Sequence, residues 1–172
     1  MSDAVRSSRR SRSEALRDGS AMSEARRRSW ATAATDFPPE PPVVLDTSAL
    51  VAVLLGEPER NRFIALLADT EDPLISAATL VEASIVMQAK TGEDGLADLD
   101  ELLAAAGVRC VAVDAAQAHT ARDAFSRFGK GRGAAGLNFG DCFSYALAMA
   151  TGRPLLFKGE DFSQTNVTPA VA

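Results

Sequence analysis

The apolar residues of this chain fall in short blocks whose spacing alternates between two kinds. Val43-Val44-Leu45 is an unbroken apolar triplet after two prolines, closed by Asp46. A run without polar alternation, bounded by breakers, fits a central strand of a parallel sheet, which is covered on both faces. Leu74-Ile75 after Pro73, Val108 to Val113, and Pro154 to Phe157 repeat the pattern, and Val167 is placed to begin a last edge strand. Between these blocks the spacing turns helical. Thr47 to Leu55 stops at Gly56 and Pro58, and Glu59 to Ala68 puts Phe63, Leu66 and Leu67 on one face. Ser76 caps a helix from Ala77 to Ala89 stopped by Gly92, and Asp94 to Ala106 ends at Gly107. Asp114 caps a helix running to about Phe128, and Gly140 to Ala150 ends at Gly152. Strand alternating with helix predicts an α/β fold, a central mostly parallel sheet of four to five strands flanked by helices.

Composition divides the chain in two. Residues 1–42 are rich in Arg, Ser and Ala, close on Phe37-Pro38-Pro39-Glu40-Pro41-Pro42, and carry too little apolar material to offset ordering entropy. They read as a disordered, basic, Pro-rich tail, or as a basic arm that touches RNA or a partner; Met22 is an alternative start. Residues 43–172 read as one globular domain. The tail holds 8 of the 18 basic residues and 6 of the 23 acids, which leaves 10 basic against 17 acidic residues in the domain. An acidic domain has little generic affinity for nucleic acid, because that affinity comes from cations displacing counterions; handling nucleic acid here requires a metal. The longest apolar run, Ala49 to Leu55, is far shorter than the roughly 20 residues that span a bilayer. No early segment resembles a secretory signal, so no membrane role and a cytoplasmic location are expected. Cys110 and Cys142 lack C-x-x-C spacing and read as buried small hydrophobes rather than a disulfide.

In a parallel sheet the predicted elements carry four acids to one rim. Asp46 ends the first strand, Glu82 lies in the helix after the second, Asp141 opens the helix after a glycine-rich loop, and Asp161 follows the last strong strand. Each has a plain alternative: Asp46 and Asp141 can serve as helix-start acids, and Asp161 as a turn residue. Glu82 resists this, because Ala78, Thr79, Ile85 and Val86 at helical spacing place its carboxylate near an apolar stripe. Two carboxylates about 4 Å apart repel by about 4 kcal/mol at an effective dielectric of 20, so convergence requires cations or bound protons. An all-oxygen set without His or Cys selects Mg²⁺ or Mn²⁺ over Zn²⁺, and such a site supports phosphoryl transfer. The single histidine, His119, sits mid-helix and reads as structural. Gly129 to Gly136, with Lys130 and Arg132, can present N–H groups and cations to phosphate or can be plain flexible chain; it lacks P-loop spacing.

Four segments in order resemble the PIN-domain ribonucleases and are most similar to the VapC toxins of bacterial toxin–antitoxin pairs. These are Val44-Leu45-Asp46-Thr47-Ser48-Ala49-Leu50, Leu80-Val81-Glu82-Ala83, Asn138-Phe139-Gly140-Asp141-Cys142, and Leu156-Phe157-Lys158-Gly159-Glu160-Asp161-Phe162. The resemblance implies a Mg²⁺-dependent endoribonuclease that hydrolyses RNA to 5′-phosphate and 3′-hydroxyl ends, with Mn²⁺ a substitute. It implies that Asp46 and Asp141 bind metal directly, that Glu82 binds metal or orients water, that Asp161 completes the set, and that Thr47, Ser48 and Asn138 support it. Glu160 stands where the family usually has Asn, and an extra charge there can compete for metal. The resemblance further implies a homodimer and a cognate antitoxin whose arginine enters the acid pocket. The groove expected to take it is the helix pair bearing Leu50, Val53, Leu54, Phe63, Leu66 and Leu67. Competing readings are a phosphatase with Asp46 as nucleophile, though Ser48 breaks the D-x-D pattern, a receiver-type signalling domain using Lys158, and a catalytically silent acidic-pocket binding module.

Overall fold

The computed structural model describes residues 42–132 and 134–171. The expected tail lies outside them save for Pro42. Four short parallel strands form the sheet: β1 (Val44–Leu45), β2 (Leu74–Ser76), β3 (Arg109–Val111) and β4 (Leu155–Leu156), in the order β3-β2-β1-β4. Val44 and Leu45 pair with Leu74 and Ile75 on one side and with Leu155 and Leu156 on the other, so β1 is central. Helices α1 (Thr47–Leu54), α2 (Arg60–Asp69), α3 (Ala77–Thr91), α4 (Glu93–Ala106), α5 (Ala115–Phe128) and α6 (Asp141–Thr151) fill the connections.

Alternation along such short strands splits the core into two layers. Leu45, Ile75 and Leu156 face one way, onto Leu50, Phe63, Ala83 and Leu99; Val44, Leu74 and Leu155 face the other, onto Ala121, Tyr145 and Leu147. Each large side chain removed from water here contributes about 1.5–3 kcal/mol. The sheet is therefore the middle of three layers, as the continuous apolar runs predict.

The helix starts follow the expected chemistry. Asp46, Ser76 and Asp114 each accept a backbone N–H of the following helix. Gly92 closes α3 and opens α4 with φ +72, so no linker separates the two.

Several expectations need correction. The third strand is shorter than Val108 to Val113 and lies at the sheet edge, which leaves Arg109 and Cys110 exposed, so only Cys142 of the two free thiols is buried. No fifth strand begins at Val167; the chain instead makes one bridge, Leu155 to Pro169, beside β4. Four of the six residues assigned to a partner groove, Leu50, Val53, Phe63 and Leu67, are core. Closing two layers over the sheet consumes the face that seemed surplus in the sequence.

At the end of the sheet where β2, β3 and β4 begin, Asp72 takes two hydrogen bonds from Arg109, at 3.0 and 2.9 Å, and one from Arg153 at 3.1 Å. These guanidinium hydrogen bonds hold its carboxyl down at about 2. No helix among the described residues is long and apolar enough to cross a membrane.

Candidate active site

The order β3-β2-β1-β4 means that the chain leaves β1 towards one edge and returns on its other side. That reversal opens a crevice beyond the carboxyl end of β1, the place where open α/β sheets bind ligands. Asp46 stands there, 1% exposed. Its Oδ2 accepts the Ser48 N–H at 2.9 Å and the Ser48 hydroxyl at 2.6 Å, and that hydroxyl accepts the Lys158 N–H at 2.9 Å. Asp46 is thus a cap, as its plain reading holds, but Oδ1 is buried with no hydrogen-bond partner. A buried carboxylate oxygen left unpaired is costly, and the fold retains one here.

Asp141 opens α6 and is buried. It exchanges hydrogen bonds with Asn138: the Asn138 N–H donates to Asp141 Oδ2 at 2.7 Å, and the Asp141 N–H donates to Asn138 Oδ1 at 2.9 Å. Burial, followed by repulsion from Asp46, Glu82 and Asp161, pushes its carboxyl up to about 7, against the pull of the Asn138 N–H. Glu82, half-buried on α3, accepts the Thr47 hydroxyl at 2.6 Å. Burial raises its pKa as well, with Asp46 adding to the rise and Thr47 opposing it. The helices bearing Glu82 and Asp141 are pinned together by a fully buried hydrogen bond of 2.9 Å between Thr79 and Ser144.

Asp46, Glu82 and Asp141 therefore converge, each oriented by a residue the sequence marked as supporting: Ser48, Thr47 and Asn138. Asp161 joins less closely. It is exposed on the turn after β4, its backbone O accepting the Gly136 N–H at 3.4 Å, and it reaches Asp141 through space. Glu160 lines a cavity of about 270 Å³ with Phe63, Phe157 and Lys158, and none of the four predicted acids lines it. Among the described residues no three such side chains stand close enough, in these rotamers, to grip one ion.

Two residues beyond the predicted set shape the pocket. A Cβ on Gly140 would overlap the Glu82 carboxylate, and one on Gly136 would meet Asp161 Oδ1 at 2.7 Å. The signal in the sequence was a glycine directly before Asp141. Lys158, the residue that favoured a receiver domain, is held by Glu57 at 2.5 Å and Glu59 at 3.5 Å. His119 is exposed on α5. Burial pushes the Cys142 thiol up to about 11, which leaves no thiolate for nucleophilic chemistry.

The donors are all oxygen and mutually repelling, one buried oxygen is unpartnered, and a glycine makes room for a third carboxylate. That set fits a hard divalent cation. The model of the PIN domain matches residues 43–167, and the chain belongs to the PIN-domain family. It is 51% identical over 125 residues to Ribonuclease VapC30 of Mycobacterium tuberculosis, an alignment covering 73% of this chain and 95% of that one, which places it among the VapC proteins of the family. Its fold is similar to that of VapC20 of Mycobacterium tuberculosis, described as a sarcin-ricin-loop-cleaving toxin, with TM-score 0.62 and 19% identity over 73% of this chain and 96% of that one. It is also similar to a chain of a toxin–antitoxin complex from Klebsiella pneumoniae, with TM-score 0.54 and 18% identity over 72% and 92% of the two chains.

Proposed function

We propose that the protein is an endoribonuclease that uses Mg²⁺, with Mn²⁺ as a substitute, and acts in the cytoplasm as the growth-inhibiting toxin of a toxin–antitoxin pair. The observation that carries this reading is the buried, unpartnered Oδ1 of Asp46 within electrostatic reach of Glu82 and Asp141. Asp46, Asp141 and Glu82 would hold the ion, with Asp161 closing the exposed side. A bound divalent cation supplies charge stabilisation at the scissile phosphate and a water acidified for attack. The chain's own part is to hold these oxygens in place. Ser48 fixes Asp46 so that Oδ1 stays available, Asn138 fixes Asp141, and Thr47 turns Glu82 towards the pocket.

The names of the relatives, ribonucleases and members of toxin–antitoxin complexes, support an RNA substrate and an antitoxin partner. With most of the expected groove in the core, an antitoxin would find Leu54, Leu66 and the more exposed Leu55 rather than a deep apolar channel. A homodimer belongs to the same reading; Val81 and Ile85, exposed at 59% and 62% one turn apart on α3, are the apolar pair a second copy would cover.

The test is RNA cleavage and growth arrest by Asp46→Ala beside the unaltered chain, together with melting in millimolar Mg²⁺. The expected result is loss of both activities in the variant and a metal-dependent rise in melting temperature for the unaltered chain only. Full toxicity in Asp46→Ala would sink the proposal.

A further inference from the structure

The connection from α5 to α6 carries charge opposite in sign to the pocket it borders. It folds back on itself: the Lys130 N–H donates to Leu137 O at 2.9 Å, and the Leu137 N–H donates to Phe128 O at 3.1 Å. Gly129 therefore lies across from Leu137, with Lys130 next to it, and Leu137 is the neighbour of Asn138, which is locked to Asp141. Further along, Gly136 lies against Asp161. One loop thus touches two of the four acids.

The other cations of the fold are mostly committed. Arg109 and Arg153 are held by Asp72, Lys158 by Glu57 and Glu59, and Arg60 by Val53 O. Arg127, Lys130 and Arg132 are exposed and pair with no carboxylate among the described residues. Arg127 lies over the Phe128 ring at 4.7 Å and Arg132 over Phe125 at 5.4 Å. Stacking occupies the face of a guanidinium and leaves its in-plane N–H donors for another partner. Phe139, two residues before Asp141, is 77% exposed and meets Phe143 only edge-on, at 5.0 Å and 74°. A bare aromatic face is costly in water, and here it stands beside the pocket.

We propose that this connection is the substrate track: Arg127, Lys130 and Arg132 hold successive phosphates of an unpaired RNA strand, and Phe139 stacks the base beside the bond to be cut. The inference rests on the ribonuclease reading above. A pocket of carboxylates repels phosphate, so the strand needs cations at the pocket's edge, and these three supply them at the end of α5 and on the connection that leads to Asp141. Stacking on one exposed ring requires a base free of its helix, which selects single-stranded or looped RNA over duplex.

The test measures binding of a short labelled single-stranded RNA to the full chain with Ca²⁺ in place of Mg²⁺, then cleavage once Mg²⁺ is added. For the exposed double variant Lys130→Gln, Arg132→Gln, the log–log salt slope should fall by about 1.4, roughly 0.7 for each cation removed. Phe139→Ala should weaken single-strand binding about tenfold, Phe139→Trp should restore it, and duplex RNA should respond to neither. Melting curves check that the variants fold; Arg127→Gln, also exposed, repeats the salt measurement if the double variant does not. An unchanged salt slope overturns the track. So does Phe139→Ala turning a dimer into a monomer at unaltered affinity per protomer, which would mean that a second copy covers the ring. If the unaltered chain cuts RNA and the loop variants cut it equally well, the track alone fails; if the unaltered chain cuts no RNA, the ribonuclease reading fails first.

Discussion

Asp72 and Asp141 are the same residue type at opposite ends of one small sheet, and the fold treats them in opposite ways. Asp72 stands where the strands begin, between two arginines that hold its carboxyl at about 2. Asp141 stands beyond the other end, buried and facing three further acids, and its carboxyl is pushed to about 7. The first arrangement ties β2, β3 and β4 together at their starts. The second works against folding unless a bound proton or a cation offsets the crowded charge. Charge is compensated at one rim and left uncompensated at the other.

The sharpest way to break this contrast is Asp141→Asn, which keeps an acceptor for the Asn138 N–H and removes the charge. RNA cleavage should fall about a thousandfold or more, since several kcal/mol of charge stabilisation is lost. The metal-free variant should nonetheless be more stable than the unaltered chain at pH 8, by a few kcal/mol on the order of the pKa displacement. The sign follows from a folded pKa raised above its ordinary value of 3.8. The protonated form is favoured on folding, so its contribution is present below that value and is lost as pH rises through about 7. Thermal melts of the metal-free chain should therefore fall across that window, and saturating Mg²⁺ should restore them. A metal-free chain whose stability rises through that window would contradict the crowding.

A smaller effect is expected from Thr47→Val, which deletes the hydrogen bond orienting Glu82 and alters no ligand. Cleavage and metal affinity should drop about 10- to 100-fold with the melting temperature nearly unchanged, measured by Mg²⁺ titration of the rate. The smallest belongs to the other rim. Asp72→Asn should leave cleavage as it is and reduce stability by about 1 kcal/mol or less, because its ion pairs are largely solvated. Its loss should show most clearly on acid unfolding: the contribution of Asp72 is present above 3.8 and disappears as pH falls through about 2.

The acids were legible where backbone logic fixed them. Asp46 closes an apolar triplet and Asp141 follows a loop into a helix, so strand polarity alone carries both to one rim. Thr47, Ser48 and Asn138 were expected only from the family resemblance. The Thr79–Ser144 bond was not, since it joins residues 65 apart and neither has a local signature. Nor was the fate of the α1–α2 apolar face, because a helix stripe shows that something is buried and not against what. Cys110 was misplaced for a related reason: an apolar strand looks alike in the centre and at the edge until pairing is known.

The Ser48 hydroxyl ties Asp46 to the backbone N–H of Lys158, 110 residues further along the chain. The Ser48 N–H and hydroxyl hold the first carboxylate of the pocket locally, and the hydroxyl itself is fixed from outside only once the chain beyond β4 lies beside β1. A growing polypeptide still on the ribosome would carry the Asp46–Ser48 pair without the anchor that Lys158 gives its hydroxyl, so the far end of the chain steadies what the near end has already built.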